Sequence, residues 1–273
     1  MGTPDDLGLE HFDDYFAFAP AALALRECVR LAAIRGIDLP EPILDIGCGD
    51  GIFARLAYPD RQVWGIDINP IEIRRAQSTA SYDTLICGSI IDTDLPPAYF
   101  RSAIANCSLE HVPDVMGAFA TIHRALVPGA PFVLIVPTPH WTRQLPLPRA
   151  LETIGLGELA TAYREGLDRV FNHVHLYGAD RWSAMLDEAG FDVEQVAPIV
   201  SPAVTAAFDF LLYPSLAGYV GKALTGRWTL FPALRRRAAT LPKRFIEQMA
   251  ALFPTDASRD PGELVIITRR RQG

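Results

Sequence analysis

The stretch ILDIGCGDG, residues 43–51, decides how this chain is read. A short apolar run carries one carboxylate, Asp45, and glycines then recur at positions 47, 49 and 51. Glycine lacks a Cβ, so it permits a tight turn and lets backbone approach a ligand closely. Residues 42–46 read as a short buried strand, and 51–58 as the helix that leaves the turn. In pyrophosphate-binding folds such a turn receives an anion at the helix N-terminus. Asp45 is awkward beside an anion, but it suits a ligand with a cationic end, an ammonium or a sulfonium.

Working outward, QVWGID (62–67) is a second strand that ends in Asp67, where a carboxylate can accept both hydroxyls of a ribose. A helix starts at Pro70, whose fixed φ suits a first helical position. DTLICG (83–88), RSAIANCS (101–108) and PFVLIVP (131–137) read as the third, fourth and fifth strands, with a helix over 114–126. A helix over 20–35 precedes the first strand. Strands alternating with helices at this spacing predict right-handed βαβ units and a parallel sheet. Beyond it the pattern changes. The reading gives a helix near 149–166, an amphipathic helix over 180–191 closed by Gly190, a sixth strand over 192–200 and a closing strand over 262–271.

Composition sets bounds on function. Apolar residues make up 49% and charged residues 21%, the balance of a soluble globular protein. The net charge of −7 argues against a phosphate-gripping nucleic-acid binder. Arginine supplies nearly all the positive charge; the two lysines are Lys222 and Lys243. Cys28, Cys48, Cys87 and Cys107 form no Cys-x-x-Cys pair, so a reducing, cytoplasmic compartment is expected. MGTPDDLGLEHFDDYF has no basic segment followed by an apolar one, so no secretory signal is expected. Residues 2–6 do not fit a myristoylation pattern.

Together these stretches resemble the class I S-adenosylmethionine-dependent methyltransferases of the small-molecule type. ILDIGCGDG is similar to that family's first motif, and VWGID to its ribose-binding strand end. NCSLEHVPD followed by IHRALVPGAPFVLIVPTP resembles the passage from the fourth to the fifth strand, and HVHLYGADRWSAMLDEAGFDV the late helix and sixth strand. The resemblance covers roughly residues 20–200 and the final strand. It implies a Rossmann-like α/β fold: a seven-stranded, mostly parallel sheet with helices on both faces and an antiparallel last strand. It implies S-adenosylmethionine at the carboxyl ends of the strands. Gly47, Gly49 and Gly51 would pass under that cofactor, Asp45 would sit near its amino-acid end, and Asp67 would hold the ribose. Ile68 would flank the adenine, and Asn106 and Cys107 would line the methionine side. Many relatives place Gly-Asp after the third strand; here the pair is Gly88-Ser89, and Ser89, Ile90 or Asp92 could take the adenine role. The aromatic segment 11–20 folds over the cofactor in relatives, so Tyr15 could close on the methionine end.

Methyl transfer is an in-line displacement at an activated carbon, and positioning alone is worth roughly 7–11 kcal/mol. A base is needed where the acceptor must lose a proton. The candidates are His111 and Glu110 past the fourth strand, His140 past the fifth, and His173 and His175 in NHVHLY. On a strand, His173 and His175 would point the same way. With Glu110 or Asp168 they could be considered for a metal, but no third ligand stands at motif spacing, so none is expected. His123, mid-helix, reads as solvated.

The methyltransferase domain is expected over 1–200 and 256–273, with residues 1–40 as an N-terminal helical cap and 138–178 as an insertion after the fifth strand. About sixty residues separate the sixth and last strands, and 201–255 reads as a helical insertion. From Val196 to Gly221 the only charged residue is Asp209, and Val204, Ala207, Phe208, Leu211 and Leu212 form an apolar stripe. Pro198, Pro202, Pro214 and Asp209 argue against a membrane span. A cap over an apolar substrate, a dimer interface and a membrane-peripheral surface through 201–237, with Arg227, Arg235, Arg236 and Arg237 facing anionic lipid, all remain open. The expected activity is O-methylation of a small molecule with an apolar part: a natural product, sugar or lipid-linked intermediate. Two other readings stay in view, a non-catalytic cofactor-binding or membrane-docking protein and a nicotinamide-dependent oxidoreductase. No nucleic-acid partner is expected, since NCSLEH stands where amino-methylating enzymes carry an Asn/Asp-Pro-Pro-aromatic turn.

Overall fold

A computed structural model describes residues 7–225, 229, 231–253, 256 and 261–272. Arg227 and residues 2–6 lie outside the described residues. The chain forms two compact units. Gly36–Thr138, Asn172–Ala197 and Glu263–Gly273 make a sheet unit, and Met1–Arg35, Pro139–Phe171 and Pro198–Gly262 make a helical unit.

The sheet strands are β1 (Ile43–Ile46), β2 (Val63–Asp67), β3 (Thr84–Cys87), β4 (Ser102–Asn106), β5 (Pro131–Pro137), β6 (Phe191–Pro198) and β7 (Glu263–Arg270). Their order is β3-β2-β1-β4-β5-β7-β6, with β1 to β5 parallel and β7 antiparallel to β5. This is the architecture expected from the sequence. Every residue of β1 and β5 is buried, as strands covered on both faces must be. The strand order reverses between β1 and β4, and a crevice opens outside the carboxyl ends of a parallel sheet at such a switch point. The register levels those ends: Ile46 lies opposite both Ile66 and Ala105.

Helices seal the sheet for identifiable reasons. Pro70–Thr79 starts on Asn69, whose side chain accepts the Ile71 N–H at 2.9 Å. Val115–Ala125 starts on Asp114, which accepts the Gly117 N–H at 2.9 Å. It buries Phe119 beside Trp182 of the helix Ala179–Glu188, with Phe132 and Phe191 completing the aromatic core. His123 of this helix is only partly solvated. Its ring meets Phe191 edge-on at 5.4 Å, and partial burial, then the Arg270 charge, lower its pKa.

Two local expectations are corrected. The single helix near 149–166 is two helices, Pro146–Thr153 and Gly157–Phe171, separated where Gly155 adopts φ +81°. His173 and His175 lie in irregular chain between Asn172 and Gly178, not on a strand, so alternation does not govern their directions.

In the helical unit the long helix Pro202–Thr225 packs on Ala21–Ile34 and on Thr240–Leu252. Val204, Ala207, Phe208, Leu211 and Leu212 are all buried, so the apolar stripe contributes to this unit's own core. Asp209, on the same helix, is 2% exposed. It accepts the Leu147 N–H at 2.8 Å and the Tyr163 hydroxyl at 2.6 Å, tying three helices together.

Candidate cofactor site

A cavity of about 290 Å³ opens at the carboxyl ends of the first four strands. Ile46 and Gly47 leave β1, and Ile66, Asp67 and Ile68 end β2. Gly88, Ser89 and Ile90 follow β3, and Cys107 and Ser108 follow β4. His111, Val112 and Pro113, in and after the short 3-10 turn Leu109–His111, complete the wall.

The glycine turn is fixed by its neighbours. The Gly47 and Cys48 N–H groups both donate to the Ile66 carbonyl, at 2.8 and 3.0 Å. Gly47 sits at φ +73°, and a Cβ there would come within 2.2 Å of the Ser108 Cβ. Ser108 crosses at that point to donate its hydroxyl to the Ile46 carbonyl at 2.6 Å, binding the ends of β1 and β4 together. Gly49, at φ +54°, is different: a Cβ there would meet nothing within 4 Å. The crest of the turn therefore faces open space where a ligand can lie against the backbone.

Asp67 supports that crest. Its Oδ2 accepts the Gly49 N–H at 2.9 Å and its Oδ1 accepts the Asn69 N–H at 2.8 Å. Each carboxylate oxygen keeps a lone pair for a further donor, which is what a ribose diol requires. Ile68 is 73% exposed at the rim, whereas Ile90 is 5% exposed and forms part of the floor. Ser89 stabilises its own turn, its Oγ accepting the Ile91 N–H at 3.3 Å and its carbonyl accepting the N–H groups of Asp92 and Thr93. Cys107 is held at φ +47°, a conformation costly for a residue with a Cβ, while its N–H bonds the Ile135 carbonyl at 2.9 Å.

Asp45 lies beneath the site and not in its wall. It is 2% exposed, and the Tyr82 hydroxyl donates to its Oδ2 at 2.7 Å. Burial, then the Asp45 charge, hold the Tyr82 phenol well above its ordinary pKa, so it remains a donor. Gly49, Gly51 and Asn106 also lie outside the wall of the cavity. Gly51, at φ +79°, is packed against Thr79 and Tyr82. Tyr15 and His140 belong to the helical unit, Tyr15 being 4% exposed there.

The remaining candidates gather beside the cavity. His111 Nδ1 lies 3.0 Å from the Asn172 carbonyl, so it carries the proton in that bond. Its Nε2 lies 3.7 Å from Glu110 Oε1, and its ring stacks on His173 at 5.6 Å. Glu110 is 1% exposed and so is not a solvated carboxylate. Its backbone carbonyl accepts the N–H groups of Val174 and His175. His175 is structural in geometry: Nε2 faces the Val112 and Pro113 carbonyls at 3.0 and 3.2 Å, and Nδ1 faces the Tyr177 hydroxyl at 2.9 Å. Among the described residues no group of three His, Cys, Asp or Glu side chains could hold a metal.

Sequence reasoning missed Ile46, Ile66, Ser108, Val112 and Pro113 in the wall, and Tyr82 beneath it. Ser108 and Val112 stand within the quoted NCSLEHVPD, so position alone could have found them. Nothing in the sequence marks Tyr82.

Residues 15–196 match the family model of a methyltransferase domain. The chain belongs to this family. It is 31% identical over 96 residues to an uncharacterized methyltransferase of Mycobacterium tuberculosis, a match covering 34% of this chain and 49% of that protein. It is 32% identical over 110 residues to a sterol 24-C-methyltransferase of Neurospora crassa, covering 37% and 29% respectively. The chain thus spans about half the length or less of the curated relatives it matches. In fold it is similar to the cyclase SpnF, with a TM-score of 0.57 at 16% identity over 100% of this chain and 97% of that one.

Family and geometry agree on the kind of ligand. The two-oxygen acceptor at Asp67 and the apolar floor at Ile90, both in the cavity wall, fit a methyltransferase's adenosyl group. No pyrophosphate-binding contact is needed, and family membership weighs against the nicotinamide reading.

Proposed function

We propose that this chain transfers the methyl group of S-adenosylmethionine to an oxygen of a small molecule with an apolar part. The carrying observation is Asp67, which is bonded to the Gly49 N–H and still opens onto the cavity. When bound, the cofactor supplies an activated methyl group. Asp67 would accept the ribose hydroxyls, Ile68 and Ile90 would enclose the adenine with the Ser89 turn, and Gly47 and Cys107 would border the methionine side. His111 takes the proton that the acceptor hydroxyl must lose. The proton arrives at Nε2 beside the buried Glu110 carboxylate, while the Asn172 carbonyl fixes the ring. An acceptor with an apolar part fits the similarity to a sterol 24-C-methyltransferase.

The similarity to a sterol 24-C-methyltransferase favours a second reading, methylation at carbon. One experiment separates the two. The chain is incubated with methyl-labelled S-adenosylmethionine and an extract of the source cells, beside Asp67→Ala and His111→Gln. Label in the organic fraction as a methyl ether, absent with Asp67→Ala and reduced with His111→Gln, supports oxygen methylation. A carbon-bound methyl selects the second reading. Retained S-adenosylhomocysteine binding with no transfer to any fraction would make the chain a cofactor-binding protein without this activity.

A further inference from the structure

Between Asp209 and Glu247 the sequence has no acidic residue, in a chain whose net charge is −7. Within residues 231–245 it places Arg235, Arg236, Arg237, Lys243 and Arg244. The helices Pro232–Arg237 and Thr240–Leu252 of the helical unit carry these side chains. Three large apolar side chains are interleaved with them and stand in solvent: Phe231 at 68%, Leu234 at 66% and Leu241 at 76% exposure. Scattered exposed leucines are ordinary, but three this exposed within eleven residues of an acid-free basic stretch are not.

The basic residues divide into an inner and an outer set. The Arg235 guanidinium lies 4.2 Å over the Phe16 ring and donates to the Ala19 carbonyl at 3.0 Å. Arg236 pairs with Asp14, and Lys243 Nζ lies 3.0 Å from Asp13 Oδ1. Ile246 and Met249 are buried on the inner side. These contacts hold the segment on the N-terminal helix Phe12–Phe18 and fix its outward face. Arg237 and Arg244 are exposed and make no ion pair among the described residues. Of the arginines expected to face lipid, Arg235 is held inward and Arg236, though exposed, is paired with Asp14; Arg244, which the sequence did not single out, is available.

We propose that the face formed by Phe231, Leu234, Arg237, Leu241 and Arg244 docks on an anionic lipid bilayer surface. Apolar side chains entering the acyl boundary while arginines meet anionic headgroups is the physics of an interfacial element. A second copy of the same face would bring arginine against arginine, which opposes self-association through it. Nucleic acid would leave the three apolar side chains without partners. No described helix is long and apolar enough to cross a membrane, so the contact is peripheral.

The test uses the full chain in vesicle co-sedimentation, with phosphatidylcholine alone and with a 7:3 mixture of phosphatidylcholine and phosphatidylserine, about 0.1 M salt setting a Debye length near 10 Å. Preferential binding to the anionic vesicles is expected, weakening as salt rises. Arg237→Gln and Arg244→Gln should each lower vesicle affinity about fivefold. The combined Phe231→Ser, Leu234→Ser, Leu241→Ser variant should lose more than about 100-fold. Because these positions are exposed, thermal unfolding and S-adenosylhomocysteine binding should stay unchanged, and those readouts keep a failure here separate from a failure of the proposed activity. Equal binding to both vesicle types, or full binding by the triple serine variant, overturns the proposal. So does a dimer that the triple variant converts to monomer while neither protein binds vesicles.

Discussion

Two aspartates show how the two units use the same chemical group. Asp67, in the sheet unit, accepts two backbone N–H groups and keeps an open side towards a cavity. Asp209, in the helical unit, accepts one backbone N–H and one tyrosine hydroxyl and is 2% exposed. In the first the remaining lone pairs are available to a ligand. In the second the bonds close the group into the fold, and Tyr213 extends the chain by donating to the Tyr163 hydroxyl at 3.4 Å. A carboxylate's function is therefore read from what its partners leave over, not from how many it has.

The largest expected effects separate these roles by exchange of readout. Asp67→Ala should weaken S-adenosylhomocysteine binding about 1,000-fold by calorimetry, since two hydrogen bonds to a charged group are each worth roughly 1.5–3 kcal/mol. Its cost to unfolding should be the smaller of the two variants. Asp209→Ala should do the reverse, destabilising the fold by about 3 kcal/mol in denaturant titration because a buried N–H and a hydroxyl lose their acceptor. Its cofactor affinity should stay within twofold. If Asp67→Ala proves the more destabilising, its carboxylate is a turn support first and the contrast fails.

The glycine turn offers the next test. Gly47→Ala places a Cβ 2.2 Å from the Ser108 Cβ at φ +73° and should cost about 3 kcal/mol by overpacking. Gly49→Ala meets open space and should cost only about 1–2 kcal/mol, the left-handed backbone penalty. A methyl on Gly49 would enter the open space above the crest, and that variant should lose cofactor binding out of proportion to stability. Equal ratios of binding loss to stability loss would mean that Gly49 does not face the ligand.

Legibility followed locality. The strands, and the place of Asp67 at the end of β2, were readable because each depends on neighbours within one βαβ unit. His111 was readable as a candidate for its place after β4, although its Asn172 and Glu110 partners were not. Asp45 was read as a ligand contact because its position matches the motif; Tyr82, which covers it, comes from after a different helix and carries no local mark. The helical unit was harder. Its core joins residues of Met1–Arg35, Pro139–Phe171 and Pro198–Gly262, and no periodicity within one segment reveals which other segment its stripe will meet. Gly155 broke a predicted helix through a left-handed φ that helical spacing does not encode.

Proton linkage extends the comparison, with opposite signs in the two units. Burial raises the Asp209 pKa above its ordinary value of 3.8. The protonated group then belongs to the folded state: its contribution is fully present below 3.8 and is lost as pH rises through the folded pKa. Asp209→Asn, which keeps one acceptor oxygen for the Leu147 N–H and turns its NH2 group towards the Tyr163 hydroxyl oxygen, should remove that dependence. Thermal unfolding of the variant relative to the native chain should therefore improve from pH 4 to pH 7.

The smallest effect belongs to His123 in the sheet unit, whose pKa is lowered from 6.5 by partial burial first and by the Arg270 charge next. There the unfolded chain binds the proton more readily. The stability His123 contributes is fully present above 6.5 and is lost as pH falls through the folded pKa. Because the ring is only partly buried, solvent screens the effect, and a shift of a degree or less in the unfolding midpoint between pH 7.5 and 5.5 is expected, absent in His123→Gln. Where calorimetry resolves two transitions, Asp209→Asn should move one and His123→Gln the other. Both variants acting on a single transition would mean that the two units unfold as one cooperative structure.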